Sequence, residues 1–520
     1  MTDPAARLAA AIARGGARHA FGVPGGGPNL DVVGALEAHG IDFVLAHTET
    51  AASIMASTYG YLSGSPTAAV VTRGPGAASA VNGAAQATLD RHPLVLVTDT
   101  VPASTRDRVP HQRIDQKAML GPVVKDSMVL GEQTGVDDLL AVVATAGRSP
   151  AGCIHLDYDA GAPGDHRTTS EERSDVGDTA AARDLIDAAE SPVVVIGLGA
   201  NESAEAVRAA VELFGAPVLA TYQGVGVVDS ESDLHGGLFT NGASERALLE
   251  RADLIVLVGV DFVEPIPAPW IYEAPVLSIS SWPAEDGYLP IDVELVGDPG
   301  QLVPRVLTGD HGWPTDAGRQ HRESVRSELR GAGPPDVFGP VELVRACSGR
   351  APHRLTTTVD AGAHFLAIMP FWPVHEPTRL LISNGLATMG YAVPAAIGAS
   401  LARPGEPVLA LTGDGGLGMC LAELETIVRQ RLPITTVVFN DAALSLIEIK
   451  QHDGHGGSAA VRYAPTDFAA IAAGVGMPSI LVEETSEVLG ALSVADGGPL
   501  LVDARIDPSA YGDLIRITRG

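Results

Sequence analysis

The chain has 520 residues, 46% hydrophobic and 19% charged, which is enough for several buried cores and about three domains. Its formal net charge of −29 argues against nucleic acids and anionic membrane surfaces as partners, because an acidic protein repels both. Three scattered cysteines predict neither a disulfide framework nor a thiolate metal site, and no stretch has the ~18 uninterrupted apolar residues of a membrane helix. We therefore expect a soluble, multidomain protein of the cytoplasm, whose first residues form an amphipathic helix rather than a secretory signal.

Short β runs alternate with helical segments between residues 19 and about 165, which predicts a parallel, doubly wound sheet. The β runs cover residues 19–23, 43–45, 68–72 and 94–98. The first one leads into the glycine-rich turn at residues 24–28. That turn is either a plain loop or open space for a substrate at the C-terminal edge of the sheet.

A helix is predicted to begin after the second β run, with Thr48 as its N-cap and Glu49 in its first turn. A carboxylate in this place complements the helix dipole, which is a common structural role. His111 and Gln112 follow the fourth β run in a polar segment. By residue type alone they are typical of a surface loop.

A polar run between about residues 164 and 178 predicts a linker to a second α/β unit. Residues 192–201 in that unit form an apolar strand and a Gly-Leu-Gly turn. The turn lacks the third glycine of the dinucleotide fingerprint and is weak evidence for a nucleotide. Residues 311–340, rich in glycine, proline and charge, predict a second linker.

The last third of the chain carries the most informative motif. Residues 407–416 form an apolar strand that ends in Gly-Asp-Gly-Gly, and a second apolar strand over residues 434–439 ends in Asn-Asp. Because parallel strands end at the same edge of a sheet, Asp414 and Asp441 should lie side by side, close to a helix N-terminus.

Three glycines in this turn, Gly413, Gly415 and Gly416, would let a phosphate approach backbone N–H groups. Two carboxylates and a carbonyl oxygen are ligands suited to Mg²⁺. The arrangement therefore suits a metal-bridged diphosphate, although Gly-Asp-Gly-Gly by itself is also an ordinary turn between a strand and a helix.

Together, the Gly-Asp-Gly-Gly turn and the strand ending in Asn-Asp resemble the thiamine-diphosphate signature of the acetolactate synthase, benzaldehyde lyase and pyruvate decarboxylase superfamily. Residues 74–76, Gly-Pro-Gly, and residues 385–390, Gly-Leu-Ala-Thr-Met-Gly, extend the resemblance over nearly all of the chain. The resemblance implies thiamine diphosphate and Mg²⁺ as cofactors. It also implies three doubly wound α/β domains, namely a pyrimidine-binding domain over residues 1–166, a middle Rossmann-like domain over 179–310 and a diphosphate-binding domain over 340–520.

The resemblance assigns metal ligands by position. They are Asp414, Asp441 and the main-chain oxygen of Ala443, with Asn440 as the alternative ligand and cofactor contact. Asp441 stands where the family has a second asparagine, and it adds one negative charge to the site.

The resemblance also implies contacts to the cofactor itself. Gly362 and His364 would approach the diphosphate, and Ala387 would give its carbonyl oxygen to the 4′-amino group. Met389 would separate the two rings and bend the cofactor, although a methionine in such a place is normally core filler. Leu446 and its neighbour Ile447 would line the pocket.

Glu49 takes the position of the family's catalytic glutamate, which binds the aminopyrimidine N1′ and drives the loss of the C2 proton. Gln112 matches an active-site glutamine of acetolactate synthases, and His111 matches a histidine of benzaldehyde lyase. Either could hydrogen-bond a carbonyl or a developing alkoxide. Arg73 stands where acetolactate synthases carry a small residue, which leaves the substrate open.

The family pairs its first and last domains across a dimer interface, so the resemblance implies a homodimer or homotetramer with active sites at that interface. No obvious proton donor is predicted to face the reacting carbon, which favours carboligation or lyase chemistry on 2-oxo acids, aldehydes or 2-hydroxy ketones. A simple 2-oxo acid decarboxylase and a catalytically silent homologue are the alternatives. FAD is not expected in the middle domain, and a flavin oxidase of the pyruvate oxidase kind would require it. Residues 451–458 have the composition of a lid.

Overall fold

Three α/β domains follow one another along the chain, each with a six-stranded sheet in which every strand pair is parallel. The computed structural model describes residues 3–102, 104–105, 108–165, 177–284, 289–349, 352, 354–452, 459–493 and 497–520. The predicted fold class is confirmed. Most of the predicted first linker and lid, at residues 166–176 and 453–458, lie outside the described residues.

The first domain has the strand order β2-β1-β3-β4-β6-β5. Its strands are apolar and mostly buried, as the alternation of β runs and helices predicts, and β1–β4 coincide with the four predicted runs to within one residue at either end. The strands are β1 His19–Val23, β2 Asp42–Leu45, β3 Ala68–Val71, β4 Leu94–Asp99, β5 Asp126–Leu130 and β6 Cys153–Tyr158. The helices are α1 Pro4–Arg14, α2 Asn29–Ala38, α3 Glu49–Ser63, α4 Pro75–Leu89, α5 Gln116–Leu120 and α6 Val136–Gly147.

The middle domain has the strand order β12-β11-β10-β7-β8-β9, which is the order of dinucleotide-binding folds. The strands are β7 Pro192–Ile196, β8 Val218–Ala220, β9 His235–Leu238, β10 Leu254–Val258, β11 Val276–Ser280 and β12 Val293–Val296. The helices are α7 Thr179–Ala188, α8 Ala204–Phe214, α9 Arg246–Leu249, α10 Pro299–Val306 and α11 Ala317–Arg330.

The last domain has the order β14-β13-β15-β16-β18-β17, which repeats the order of the first domain. The strands are β13 Thr356–Val359, β14 Leu380–Ile382, β15 Val408–Gly413, β16 Ile434–Asn440, β17 Ser479–Val482 and β18 Leu500–Arg505. The helices are α12 Pro340–Ser348, α13 Phe365–Phe371, α14 Ala392–Ala402, α15 Asp414–Cys420, α16 Glu423–Gln430, α17 Ser445–His452, α18 Phe468–Gly474, α19 Thr485–Ser493 and α20 Tyr511–Arg519.

The predicted second linker at residues 311–340 is wrong over much of its length, because α11 occupies Ala317–Arg330. Two buried arginines attach this helix to its surroundings. Arg322 donates to the carbonyl oxygens of Ser232 and His235, and Arg326 donates to that of Pro370 in the last domain. The charge that suggested a linker is therefore used in hydrogen bonds between elements.

The first and last domains pack directly on each other within the chain. Helices α3 and α14 approach so closely that a Cβ atom at Gly398 would lie 2.4 Å from the carbonyl oxygen of Met55. The carboxylate of Glu423 accepts hydrogen bonds from the backbone N–H groups of His47 (3.0 Å) and Thr48 (3.2 Å), at the start of α3. Among the described helices, none is both long and apolar enough to cross a membrane.

Candidate active site

The turn between β15 and α15 is crowded on three sides, which explains its glycines. A Cβ atom at Gly413 would lie 3.2 Å from the His364 Nδ1 atom. At Gly416 it would lie 2.7 Å from the Asp360 Oδ2 atom, and at Gly415 it would lie 2.7 Å from Leu444. The turn is therefore a backbone cradle that any other side chain would fill.

Asp414 and Asp441 lie side by side at this edge of the sheet, as the sequence predicts. Asp414 accepts hydrogen bonds from the backbone N–H groups of Ala442 (2.7 Å), Asp441 (3.2 Å) and Gly415 (2.6 Å), and from the Tyr463 hydroxyl. Burial raises its pKa. Backbone N–H groups after the end of β16 thus bind the Asp414 carboxylate, which follows β15.

The Asp441 carboxylate accepts hydrogen bonds from the Ser445 hydroxyl and the Ala443 N–H group. Burial, together with the charge of nearby Asp414, raises its pKa to about 7. Two carboxylates this close favour a cation between them. Among the described residues no group of three or more His, Cys, Asp or Glu side chains forms a metal site, so further metal ligands would have to be main-chain oxygens or the diphosphate.

Asn440, the alternative ligand, is turned away from this edge. Its amide donates to the Thr466 carbonyl oxygen (2.9 Å) and to the Asp503 carboxylate (2.7 Å), and the side chain is buried. It does not line the cavity described below. In this structure Asn440 holds β16 to the neighbouring segments rather than facing a ligand.

His364 lies beneath the glycine turn, stacked on Phe439 with ring centroids 5.3 Å apart. It is only 3% exposed, and burial lowers its pKa to about 3, so the imidazole is neutral. Its Nε2 atom is buried and has no hydrogen-bond partner within the described chain. A cradle of glycines beside an unpartnered ring nitrogen fits a bound diphosphate.

The loop before α14 carries Ala387 and Met389. Asp360, at the end of β13, accepts hydrogen bonds from the N–H groups of Gly390 (2.9 Å) and Tyr391 (3.4 Å) and from the Thr412 hydroxyl (3.0 Å), which fixes the loop against the glycine turn. Ala387 has φ +53°, a conformation that glycine adopts more readily. The Met389 methyl group would lie 3.4 Å from a Cβ atom at Gly415.

These elements line an open cavity with a volume of about 220 Å³. Its wall includes every predicted cofactor and metal residue of the last domain except Asn440, and it is largely apolar near Leu446 and Ile447. Tyr511 from α20 completes the wall. Burial raises the pKa of the Tyr511 phenol well above its usual value.

Glu49, His111 and Gln112 do not line this cavity; they belong to a second cluster, on the first domain. Glu49 begins α3 behind Thr48, whose hydroxyl accepts a hydrogen bond from the Ala51 N–H group, as predicted for an N-cap. A Cβ atom at Gly76 would lie 3.3 Å from the Glu49 Oε1 atom. Glu49 therefore faces the Gly-Pro-Gly turn.

Gln112 lies on the other side of the same turn. A Cβ atom at Gly74 would lie 3.0 Å from that of Gln112, which has φ +55°, whereas His111 is exposed. Arg73 already has a carboxylate partner, because its guanidinium lies 3.0 Å from Asp99. The Arg73 guanidinium is therefore already paired within the first domain.

Several residues of the site were missed from the sequence. Ser445, Tyr463 and Tyr511 contact the predicted metal ligands or line the cavity, and Asp360 holds the loop before α14 against the glycine turn. Only Asp360 had an available signal, since it follows an apolar β run at the same sheet edge as Asp414. Tyr463 and Tyr511 come from sequence-distant segments that have no motif.

We expect the protein without metal and cofactor to lose stability as the pH rises from 6.5 to 8.5. Burial raises the pKa of Asp441 to about 7 and that of Glu264 to about 8, so the folded state holds more protons than the unfolded state in this range. Buried His92, His235 and His364 have pKa values lowered to about 3, and their opposite effect offsets part of this loss up to about pH 7.5, because the unfolded imidazoles lose their protons near pH 6.5.

The free energy of unfolding in urea should fall by about 2 kcal/mol between these pH values. Asp441→Asn should reduce the fall. A free energy that stays level or rises would show that these carboxyl groups are ionised in the folded protein at pH 6.5.

Comparison with known proteins agrees with this geometry. Models of the thiamine pyrophosphate enzymes match the chain three times: the N-terminal TPP-binding domain over residues 3–119, the central domain over 179–306 and the C-terminal TPP-binding domain over 360–504. The matches follow the order of the three sheets.

Curated relatives are similar over almost their full length. An acetolactate synthase of Bacillus subtilis (strain 168) is 29% identical over 535 residues, which covers 96% of this chain and 92% of the relative. A catabolic acetolactate synthase of Raoultella terrigena is 29% identical, with coverage of 96% and 95%. A 2-hydroxyacyl-CoA lyase of Oryza sativa subsp. japonica is 27% identical, with coverage of 98% and 96%. With three domain matches and a diphosphate cradle between β13, β15 and β16, the chain belongs to the thiamine-diphosphate-dependent enzymes of the acetolactate synthase, benzaldehyde lyase and pyruvate decarboxylase superfamily.

Proposed function

We propose that the protein is a Mg²⁺-dependent carboligase or lyase that joins or cleaves C–C bonds of 2-oxo acids or 2-hydroxy ketones, as acetolactate synthases do. The observation that carries this proposal is the cavity of the last domain, where a glycine cradle that fits a diphosphate adjoins an apolar wall, and where the last domain itself offers no effective acid once Asp414 and Asp441 bind a metal ion. Bound thiamine diphosphate supplies a nucleophilic carbon for additions to carbonyl groups.

The residues of the last domain would hold the cofactor. Gly413, Gly415 and Gly416 leave room for the diphosphate, with His364 Nε2 beside it. Asp414 and Asp441 would hold Mg²⁺, together with the Ala443 main-chain oxygen. Gly362, Ala387, Met389 and Leu446 line the rest of the cavity, and Asn440 supports it from behind.

Proton supply decides between carboligation and simple decarboxylation. Within the cavity, His364 is neutral because its pKa is lowered to about 3, and the raised pKa of Tyr511 makes it a poor acid. Once Asp414 and Asp441 bind a metal ion they are ionised and cannot donate protons. A second carbonyl compound is then the better electrophile, which favours C–C bond formation.

The catalytic proton relay would come from a second copy of the chain. Glu49 lies outside the cavity lining, close to Gly76 on the first domain, and Gln112 is on the same turn, with His111 next to it in sequence. A homodimer, or a tetramer of two such dimers, would bring this cluster over the cavity of the partner chain. There Glu49 would bind the aminopyrimidine, and Gln112 or His111 would donate a hydrogen bond to the substrate carbonyl.

The buried, unpaired thiols of Cys153, Cys347 and Cys420 support a cytoplasmic location.

A product analysis tests the proposal. The protein is incubated with thiamine diphosphate, Mg²⁺ and pairs drawn from a panel of 2-oxo acids and aldehydes, and the products are resolved by mass and chirality. We expect coupled 2-hydroxy ketones or 2-hydroxy-3-oxo acid products such as acetolactate, and cleavage of 2-hydroxy ketones in the reverse direction. Free aldehyde as the sole product would identify a decarboxylase, and cofactor binding without any turnover would identify a silent homologue.

A further inference from the structure

The middle domain has the strand order of a dinucleotide-binding fold, and its Gly-Leu-Gly turn follows β7 at the point where that order reverses. In such folds the nucleotide phosphates bind to free backbone N–H groups of this turn. The question is whether the turn of this chain still has N–H groups to offer.

Each N–H group of the turn already has a partner. The Leu198 N–H donates to the Glu264 carboxyl group (3.1 Å), that of Gly199 to the Gly259 carbonyl oxygen (2.7 Å), and that of Ala200 to the Gly197 carbonyl oxygen (3.1 Å). A phosphate in this turn would have to break these bonds.

Glu264 fills the space itself. Its carboxyl group is almost fully buried and also accepts hydrogen bonds from the Asp261 N–H group (2.9 Å) and the Thr221 hydroxyl. A Cβ atom at Gly197 would lie 2.7 Å from its Oε2 atom. The carboxyl oxygens of Glu264 therefore occupy the position at the glycine turn where a bound dinucleotide would place its phosphate oxygens.

The segment that carries Glu264 also joins the other two domains. The main-chain oxygen of Glu264 accepts a hydrogen bond from the Asn384 amide (3.1 Å), directly before the loop that carries Ala387 and Met389. Asp261 forms a bidentate ion pair with Arg91, at the end of α4 in the first domain. The turn thus lies at a junction of all three domains.

We propose that Glu264 substitutes for a nucleotide phosphate in the middle domain. It seals the glycine turn against FAD and adenine nucleotides, and it uses the turn to position the loop over residues 384–389. Glu264 is a positioning residue in this assignment and touches no substrate.

Nucleotide titration tests the first half. FAD and ADP are each titrated into the wild-type protein, with flavin fluorescence and calorimetry as readouts. We expect no saturable binding up to about 1 mM. Stoichiometric FAD in the purified protein, or saturable binding of either nucleotide, would overturn the proposal.

Substitutions test the second half, with the dissociation constant of thiamine diphosphate as the readout. Glu264→Ala leaves two buried N–H groups unpaired and should weaken cofactor binding about tenfold, and Asn384→Ala should weaken it about fivefold. Glu264→Gln keeps an acceptor for both N–H groups and should restore binding to within about threefold of wild type. Glu273→Ala, at an exposed site of the same domain, is the matched control.

If Glu264→Ala does not fold, Asn384→Ala and Glu264→Gln still decide the matter. The positioning role is contradicted if Asn384→Ala binds thiamine diphosphate as tightly as wild type. It is also contradicted if Glu264→Gln weakens cofactor binding as much as Asn384→Ala does. Neither result depends on which 2-oxo acid the enzyme uses, so failure here and failure of the proposed function are distinguishable.

Discussion

Glu49→Gln should lower kcat by about 10²–10⁴-fold while thiamine diphosphate still binds. The amide keeps the size of the side chain but could not give the aminopyrimidine N1′ the proton that its reactive tautomer needs. The fold should not suffer, because the Thr48 cap and the bonds from His47 and Thr48 to Glu423 use the backbone and not the Glu49 carboxylate. We expect the free energy of unfolding to stay within about 0.5 kcal/mol of wild type.

Steady-state kinetics and calorimetric titration of the cofactor measure the two halves of this result. Glu37→Gln, on an exposed face of α2, is the control for loss of one carboxylate from the same domain. Near-normal turnover in Glu49→Gln would remove Glu49 from the mechanism.

Asp414→Ala should weaken retention of Mg²⁺ and thiamine diphosphate on the order of 100-fold or more, with partial recovery in excess Mg²⁺. It removes a proposed metal ligand and also leaves the N–H groups of Gly415, Asp441 and Ala442 without their acceptor. Asp441→Ala should act similarly, whereas Asp441→Asn keeps an oxygen ligand and should retain the metal. Asn440→Ala should destabilise the fold through the lost bonds to Asp503 and Thr466 but leave metal affinity nearly unchanged.

Calorimetry with Mg²⁺ and cofactor separates these variants. If Asn440→Ala loses the metal and Asp441→Ala keeps it, the ligand assignment is off by one position.

These two variants also report on the assembly. A chain with Glu49→Gln and a chain with Asp414→Ala are each inactive, but a mixed dimer built as proposed has one intact site. Mixing after mild dissociation should recover about a quarter of wild-type activity. If each chain forms a complete site alone, mixing recovers nothing.

The fold could be predicted from the sequence because buried parallel strands are near-continuous apolar runs. The predicted run at β1 has the bounds that the structure shows, and the run at β16 ends one residue short of the strand. The βα turns that gather Asp414, Asp441 and Gly416 could be predicted for the same reason, since strand ends share an edge. The hydrogen-bond partners of individual polar side chains could not be predicted. Arg73 is paired with Asp99, and Asn440 with Asp503, through contacts between strands that no local pattern encodes.

The linker error over residues 311–340 has a physical cause too. Helix α11 buries Arg322 and Arg326, and sequence patterns treat buried arginine as exposed charge. Its apolar face is short, and its two buried arginines depend on carbonyl acceptors from the middle domain and the last domain.

The first and last domains share one strand order, so the turn after β3 and the turn after β15 occupy equivalent positions in the two sheets. They differ in the backbone N–H groups that they offer. After β15, the sequence Gly-Asp-Gly-Gly keeps a backbone N–H at every residue, whereas after β3 Pro75 has none and the Gly74 N–H donates to Gln116 (2.8 Å). Only the turn after β15 therefore offers a row of backbone N–H groups suited to a phosphate, and the turn after β3 instead faces the Glu49 carboxylate at the start of α3. A cofactor with a diphosphate at one end and an aromatic ring at the other would match these two turns, one with a row of backbone N–H groups and one beside a carboxylate.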